Sequence, residues 1–298
     1  MIWTEPPAIL CSYVYISTFK NDLSAFNRAR LFVDSGAFTA ATLGVKINLA
    51  DYCDWLSDHR GIIHQAAGLD VIGDWRATAR NDDLMRDRLG DTITIIPTWH
   101  LGSPESELER LCRTNTYIAI GGCVPYASRP KVLTAHLIRA HRIAREHNTQ
   151  LHGLGVTGNT PLTKLPWFSV DSSSWGQGHR YGKVILTDRT GKQHLCQMGH
   201  GIKSRAQAQL IRDYGGDPQW FSNDAFCNRK KAGAEQYKKD HEWVVSASAR
   251  AAWTLGDITA QRHHSNLTIY LADGGYKNLE LAIDAHALGS PYRKNPQR

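Results

Sequence analysis

The sequence predicts an α/β protein, a TIM-like (β/α)8 barrel with a hairpin-containing insertion and a helical C-terminal part. Three observations carry that expectation. From Ala8 to Asp171 short apolar runs alternate with segments of helical periodicity, the pattern of parallel strands joined by crossover helices. Several of those runs end in Asp, His or paired Gly, where barrels and doubly wound sheets place their chemistry. The 298 residues suffice for a substantial core in one large barrel or in two ordinary domains, so length permits the barrel without choosing it.

The first strand is expected in Ala8 to Ser17, rich in β-branched and aromatic residues, and the second in Leu31 to Asp34,. Asn48 is a natural cap for a helix to about His59, with Leu49, Tyr52, Cys53 and Leu56 at helical spacing and Gly61 as its stop,. GLDVIGDW then reads as a strand ending in Asp74, followed by a polar helix from Arg76 to Leu89. Thr92 to Pro97 forms a buried strand leading to His100, and Ser103 with Pro104 starts the next helix,. Tyr117 to Ile120 is a strand that breaks at Gly121 and Gly122, Arg129 to His147 a helix, and Leu151 to Val156 and Trp167 to Asp171 two more strands. These make seven strands. The eighth is expected in the QWFSN run at Trp220 or elsewhere in the C-terminal part. Lys183 to Cys196 alternates like a hairpin inside an insertion at 172–216 of a single domain, 1–298,. Ser204 to Tyr214, Ala232 to Trp253 and Ser265 to Leu288 read as helices, the last interrupted at Asp273-Gly274-Gly275, and the basic tail PYRKNPQR as frayed.

With 42% hydrophobic and 21% charged residues the composition is globular,. A net charge of +7 fits an anionic partner, and nine Trp with eleven Tyr supply stacking surfaces for bases,. Six scattered cysteines form no disulfide framework, which fits a reducing compartment,. No run approaches the roughly 18 apolar residues of a membrane span, and the N-terminus has no export-signal pattern,. A cytoplasmic protein with no membrane partner is expected.

If the barrel closes, Asp34, Asp74, His100, Gly121 with Gly122, Gly155 and Asp171 share one mouth,. Carboxylates grouped there fit a nucleophile with a general acid/base for glycosyl transfer, a cationic ligand, or a metal. Glycine pairs expose backbone donors to a flat ligand. A bland alternative stands beside each: Asp74 as a helix cap, His100 as a core histidine, Trp175 as packing, Lys230 and Lys231 as a solvated face.

DSGAF at Asp34 to Phe38 resembles the DSGGFQ motif of the tRNA-guanine transglycosylases. VIGD at Val71 to Asp74 is similar to their base-reading strand end, AIGG at Ala119 to Gly122 to their AIGGL segment, and WFSVDSSSW at Trp167 to Trp175 falls where they carry the nucleophilic aspartate. The four occur in the family's order and span roughly Ala8 to Trp175. Ala37 and Thr39 replace Gly and Gln of the motif, and the chain is shorter than the tRNA enzymes. Those departures resemble the branch that acts on DNA, the 7-deazaguanine DNA transglycosylases of bacteriophages and bacterial DNA-modification clusters.

The resemblance implies a base exchange in two displacements, inside a bacterial or phage-infected cell. Asp171 would attack C1′ of a guanosine and release guanine, and a free 7-deazaguanine, the 7-cyano form, would then displace the covalent ester. Asp34 would shuttle protons. Asp74 would accept from the donor edge of the base, His100 and the amides near Gly121 and Gly122 would meet its carbonyl, and Ser35, Gly36 and Phe38 would line the same pocket. The DNA would present a single-stranded or flipped guanine, with Trp175, Arg180, Lys183, Lys230 and Lys231 holding the polymer. A homodimer is compatible with this reading. The chemistry requires no cofactor. The tRNA enzymes' zinc cluster is missing, although His194, Cys196, His200 and Cys227 have a loosely similar layout of zinc-competent ligands,. A tRNA-acting enzyme, a non-catalytic nucleic-acid-binding barrel subunit and an unrelated barrel glycosidase or deoxyribosyltransferase are the alternatives.

Overall fold

The computed structural model describes residues 3–20, 22–126, 128–156, 159–226, 228 and 230–292. They form two compact units, Ala8–Ser172 with Ser265–Tyr276, and the described parts of Met1–Pro7, Ser173–His264 and Lys277–Arg298.

The first unit is a barrel-like parallel sheet surrounded by helices. Its strands are β1 (Ala8–Ser12), β2 (Arg30–Asp34), β3 (Ile63–Ala67), β4 (Ile95–Ile96), β5 (Thr98–His100), β6 (Tyr117–Gly121), β7 (Gln150–Gly153) and β8 (Ser169–Ser172). A hairpin of the other unit, β9 (Lys183–Thr187) and β10 (Gln193–Gln197), intervenes before the last strand, β11 (Thr268–Ala272). The order around the sheet is β4-β3-β2-β1-β11-β8-β7-β6-β5, and every pairing in it is parallel. Pro97 explains how the two edges meet. It has no N–H to continue a ladder, so the chain pairs with β3 before it, through Ala66 with Ile95, and with β6 after it, through Thr98 with Ala119. The Pro97 carbonyl accepts the Ala119 amide at 2.9 Å. The edges of the sheet are therefore consecutive pieces of one segment, and β4 with β5 fill one position of an eight-position barrel.

Strands covered on both faces read as continuous apolar runs, and β1 and β8 are buried along their whole length. Alternate residues point inward. Ala8, Leu10, Phe32, Ala67, Ile96, Ala119 and Tyr270 form one buried cluster in the barrel. The crossover helices lie close to their expected places: Leu49–Asp58 with the Asn48 side chain accepting from the Ala50 and Asp51 amides, Trp75–Leu89, Glu105–Thr114 and Pro130–Glu146.

Three expectations are corrected. The first strand stops at Ser12, and Tyr13–Ile16 turns into a short helix where strand was expected to Ser17. GLDVIGDW is not a strand: β3 ends at Ala67, and Val71 to Asp74 is a turn closed by Asp74 N–H to the Val71 carbonyl, with Gly73 at φ +83° in its left-handed position,. The eighth strand is not at Trp220, because Pro218 and the Asp217 cap start a 3-10 helix over Pro218–Ser222,. That strand is TIYLA at Thr268–Ala272, inside the stretch expected to be helical. Its β-branched and aromatic residues pair with both β1 and β8, and helix resumes at Tyr276–His286,.

In the second unit the expected hairpin is present, antiparallel, with Gln193 opposite Thr187. Val184, Leu186 and Cys196 pack with Leu210 and Ile211 of the helix Arg205–Asp213 and with Val244, Ala247 and Ala251 of the helix Ala234–His263. No helix among the described residues is long and apolar enough to cross a membrane.

Candidate active site

Side chains alternate along a strand, so Asp34 faces the barrel interior with Phe32, and Asp171 faces it with Ser169. Ser12 is the register partner of Asp34, Tyr270 of Asp171, and Gly121 of His100. In a parallel sheet these strand ends surround a single mouth. Three Asp and one His converge there.

Asp34 ends β2, and its Oδ2 accepts the Gly36 amide at 3.0 Å. Gly36 is at φ +81°, and a Cβ on it would lie 2.3 Å from Ser12 Oγ, so this turn needs glycine,. Burial, then the negative charges of Asp70 and Asp171, push the Asp34 carboxyl up to about 7,. Such a group exchanges protons near neutral pH.

Asp171 is buried and in β8. Its Oδ1 accepts the Gly155 amide at 2.8 Å, and the same oxygen lies 3.4 Å from Nε2 of His152. Gly155 takes φ +65°, which lets the turn after β7 aim its N–H at the carboxylate.

The third carboxylate is Asp70, three residues beyond β3. Its Oδ2 lies 3.3 Å from His100 Nε2. Burial pulls the His100 imidazole down, but the hydrogen bond and charge of Asp70 outweigh it and leave the pKa raised,. Gly121 makes room for the ring, since a Cβ there would lie 2.7 Å from His100 Cδ2. Behind this pair, Asp82 of the helix Trp75–Leu89 is buried, and burial followed by the Asp70 charge raises its carboxyl to about 7.

The expected site residues divide into two groups. Asp34, His100, Gly121 and Asp171 come together. Ser35 is fully buried behind Asp34, and Phe38 is 60% exposed in the helix Ala37–Leu43. Gly122, at φ +74°, folds against the Leu101 backbone. Asp74 does not belong to the site: it is exposed, and its carboxylate caps the helix Trp75–Leu89 by accepting the Arg76 and Ala77 amides at 3.1 and 3.0 Å,. Asp70 takes the strand-end place expected of Asp74, because the strand ended earlier than its apolar pattern implied.

Trp175, Arg180, Lys183, Lys230 and Lys231 belong to the second unit. Trp175 is buried and packs edge-on to His179 with ring centres 5.3 Å apart, so it offers no open face for a base. Arg180 donates to the Ser173 carbonyl, Lys231 pairs with Asp224, and Lys183 and Lys230 are exposed. Of the zinc-competent set, His194 bonds Asp188 at 2.7 Å, buried Cys196 receives the Gln207 amide at 3.4 Å, and His200 is exposed. Cys227 lies outside the described residues. Among the described residues no three His, Cys, Asp or Glu side chains are grouped as a metal site requires.

Sequence reading missed Asp70, Asp82 and His152. His152 had a usable signal, since within LHGLGV it alternates in phase with Leu154, which packs against the barrel cluster.

Comparison with protein-family models, with curated proteins and with solved structures found no match.

Asp70→Asn is expected to lower the His100 pKa, because burial then acts with little opposition; an NMR titration of the His100 ring measures it, and an unchanged midpoint contradicts the pairing. Asp82 has a pKa of 3.8 when exposed and about 7 when folded, so between those values the folded protein binds the additional proton. Its contribution to stability therefore falls as pH rises through that window, by up to about 4 kcal/mol. Asp82→Asn should flatten this fall, as read by urea denaturation at pH 5 and pH 8.

Proposed function

We propose that the protein is a pentosyltransferase that replaces guanine in DNA by a 7-deazaguanine through a covalent glycosyl-enzyme intermediate. The observation that carries this reading is the different surroundings of two carboxylates at one barrel mouth. Asp34 is pushed to about 7, which suits a group that gives and takes protons. Asp171 has one oxygen engaged by an amide donor, which suits a nucleophile held in position. A proton-exchanging carboxyl beside a second carboxylate held by a backbone amide fits acid/base and nucleophile roles,.

In this scheme Asp171 Oδ2 attacks C1′ as the bond from C1′ to N9 of guanine breaks, and Asp34 supplies a proton to the departing base. The incoming 7-deazaguanine loses its N9 proton to Asp34, attacks C1′ and expels the Asp171 carboxylate, so that two inversions restore the β anomer. Asp70 accepts from the N1 and exocyclic amine hydrogens, since a carboxylate matches that paired donor edge. His100, turned toward Asp70, orients it. The three motifs that do lie at strand ends, DSGAF at the end of β2, AIGG at β6 and WFSVDSSSW at β8, support guanine over other bases, and the net charge of +7 supports a polyanionic substrate. The reacting carbon requires a flipped or single-stranded nucleotide.

Incubation with DNA and labelled 7-cyano-7-deazaguanine should transfer label to the polymer. Asp171→Asn should reduce transfer by about 10³-fold or more and abolish a denaturation-stable DNA adduct. Full activity in that variant sinks the nucleophile assignment, and label entering tRNA but not DNA moves the substrate to RNA.

A further inference from the structure

Beneath the carboxylates a file of polar side chains crosses the barrel interior, an unusual filling where such barrels stack branched apolar residues. Gln65 Nε2 donates to the Tyr117 hydroxyl at 3.5 Å, Tyr117 Oη and Ser169 Oγ are 2.6 Å apart, and Ser169 Oγ is 2.7 Å from His152 Nδ1. His152 is fully buried, and its other nitrogen, Nε2, faces Asp171 Oδ1 at 3.4 Å with no hydrogen-bond partner among the described residues. The rings of Phe32 and Tyr270 pack edge to face on the imidazole at 4.9 and 5.9 Å between centres. The ring is thus held on its sides by aromatics and at one end by a hydroxyl, with its other end aimed at one carboxylate oxygen.

We infer that His152 is a positioning residue, fixed as the Nε2–H tautomer by the file behind it, and that it selects which oxygen of Asp171 reacts. This rests on the nucleophile role proposed for Asp171.

The direction of the bonds follows from donor inventory. An ionised carboxylate only accepts, so Nε2 must carry the hydrogen that faces it. Gln65 donates into Tyr117, and Tyr117 keeps its own proton, since burial raises that hydroxyl. Tyr117 therefore donates to Ser169, and the Ser169 proton remains for Nδ1. Tyr117 and Ser169 then each donate one bond and accept one, while His152 accepts at Nδ1 and keeps its Nε2–H for Asp171, which suits a buried network,. At Asp171 the Gly155 amide and His152 Nε2–H both converge on Oδ1. Oδ2 is left to form the bond to C1′. The 3.4 Å separation is long for a hydrogen bond, and such contacts commonly tighten when the reacting complex forms.

The test uses the full-length protein labelled with 15N-histidine. Two-bond 1H–15N correlations should show His152, assigned by its loss in His152→Gln, as the Nε2–H tautomer. Ser169→Ala, which keeps the aromatic clamp, should move the Nδ1 resonance and lower kcat for base exchange by about tenfold to a hundredfold, with KM for 7-cyano-7-deazaguanine within twofold. A Nδ1–H tautomer overturns the inference, as does an unchanged kcat in Ser169→Ala. Should the parent protein show no exchange at all, the transglycosylase reading fails by itself while the tautomer measurement still decides the geometry.

Discussion

Mutual repulsion among Asp34, Asp70 and Asp171 is the constraint on which the rest of the barrel mouth depends. Carboxylates withdrawn from water and facing one another cannot all remain ionised without compensation. Each is handled differently. Asp34 is driven toward its protonated form, Asp70 gains His100, and Asp171 gains the Gly155 amide with His152 beyond it. The backbone supplies these compensations through glycines: Gly36 admits Ser12, Gly121 admits the His100 ring, and Gly155 aims its N–H. A side chain at Gly36 or Gly121 would displace a site residue directly, so the mouth tolerates repulsion only because the local backbone has been shaped around it.

The barrel beneath is built for the same purpose. Parallel pairing brings every strand's carboxyl end to one side, and the break at Pro97 lets a single segment join both edges of the sheet. Its interior is apolar around Leu10, Phe32 and Ile96 and polar along Gln65, Tyr117, Ser169 and His152. A hydrogen-bonded polar file holds side-chain directions more narrowly than an apolar layer, because each misaligned bond leaves a buried group unpaired. Rigid support of this kind is what the proposed displacement at a sugar carbon would need.

Much of this was legible in the sequence. Alternation of apolar runs and helical segments gave the barrel class, Asn48 marked a helix start to the residue, and the carboxylates ending Leu31–Asp34 and Trp167–Asp171 are at the mouth. What escaped notice has physical causes. Within GLDVIGDW two carboxylates four residues apart compete for the strand end, and apolar Val71 with Ile72 extended the strand pattern through what is an exposed turn. Asp74 serves as a cap there, the commoner use of an Asp before a helix. Thr268–Ala272 was masked by helical neighbours, since a run of five residues carries no decisive period,. Pairings such as His100 with Asp70 join residues distant in sequence and belong to the tertiary fold alone.

The most direct test of the central claim is a structure of the protein with 7-cyano-7-deazaguanine bound. The base is expected within the mouth, its N1 and amine edge on the Asp70 carboxylate and its N9 side turned toward Asp34 and Asp171. A base bound elsewhere, or held by Asp74 with Asp70 remaining apart from it, would contradict the assignment of this mouth as the site of exchange.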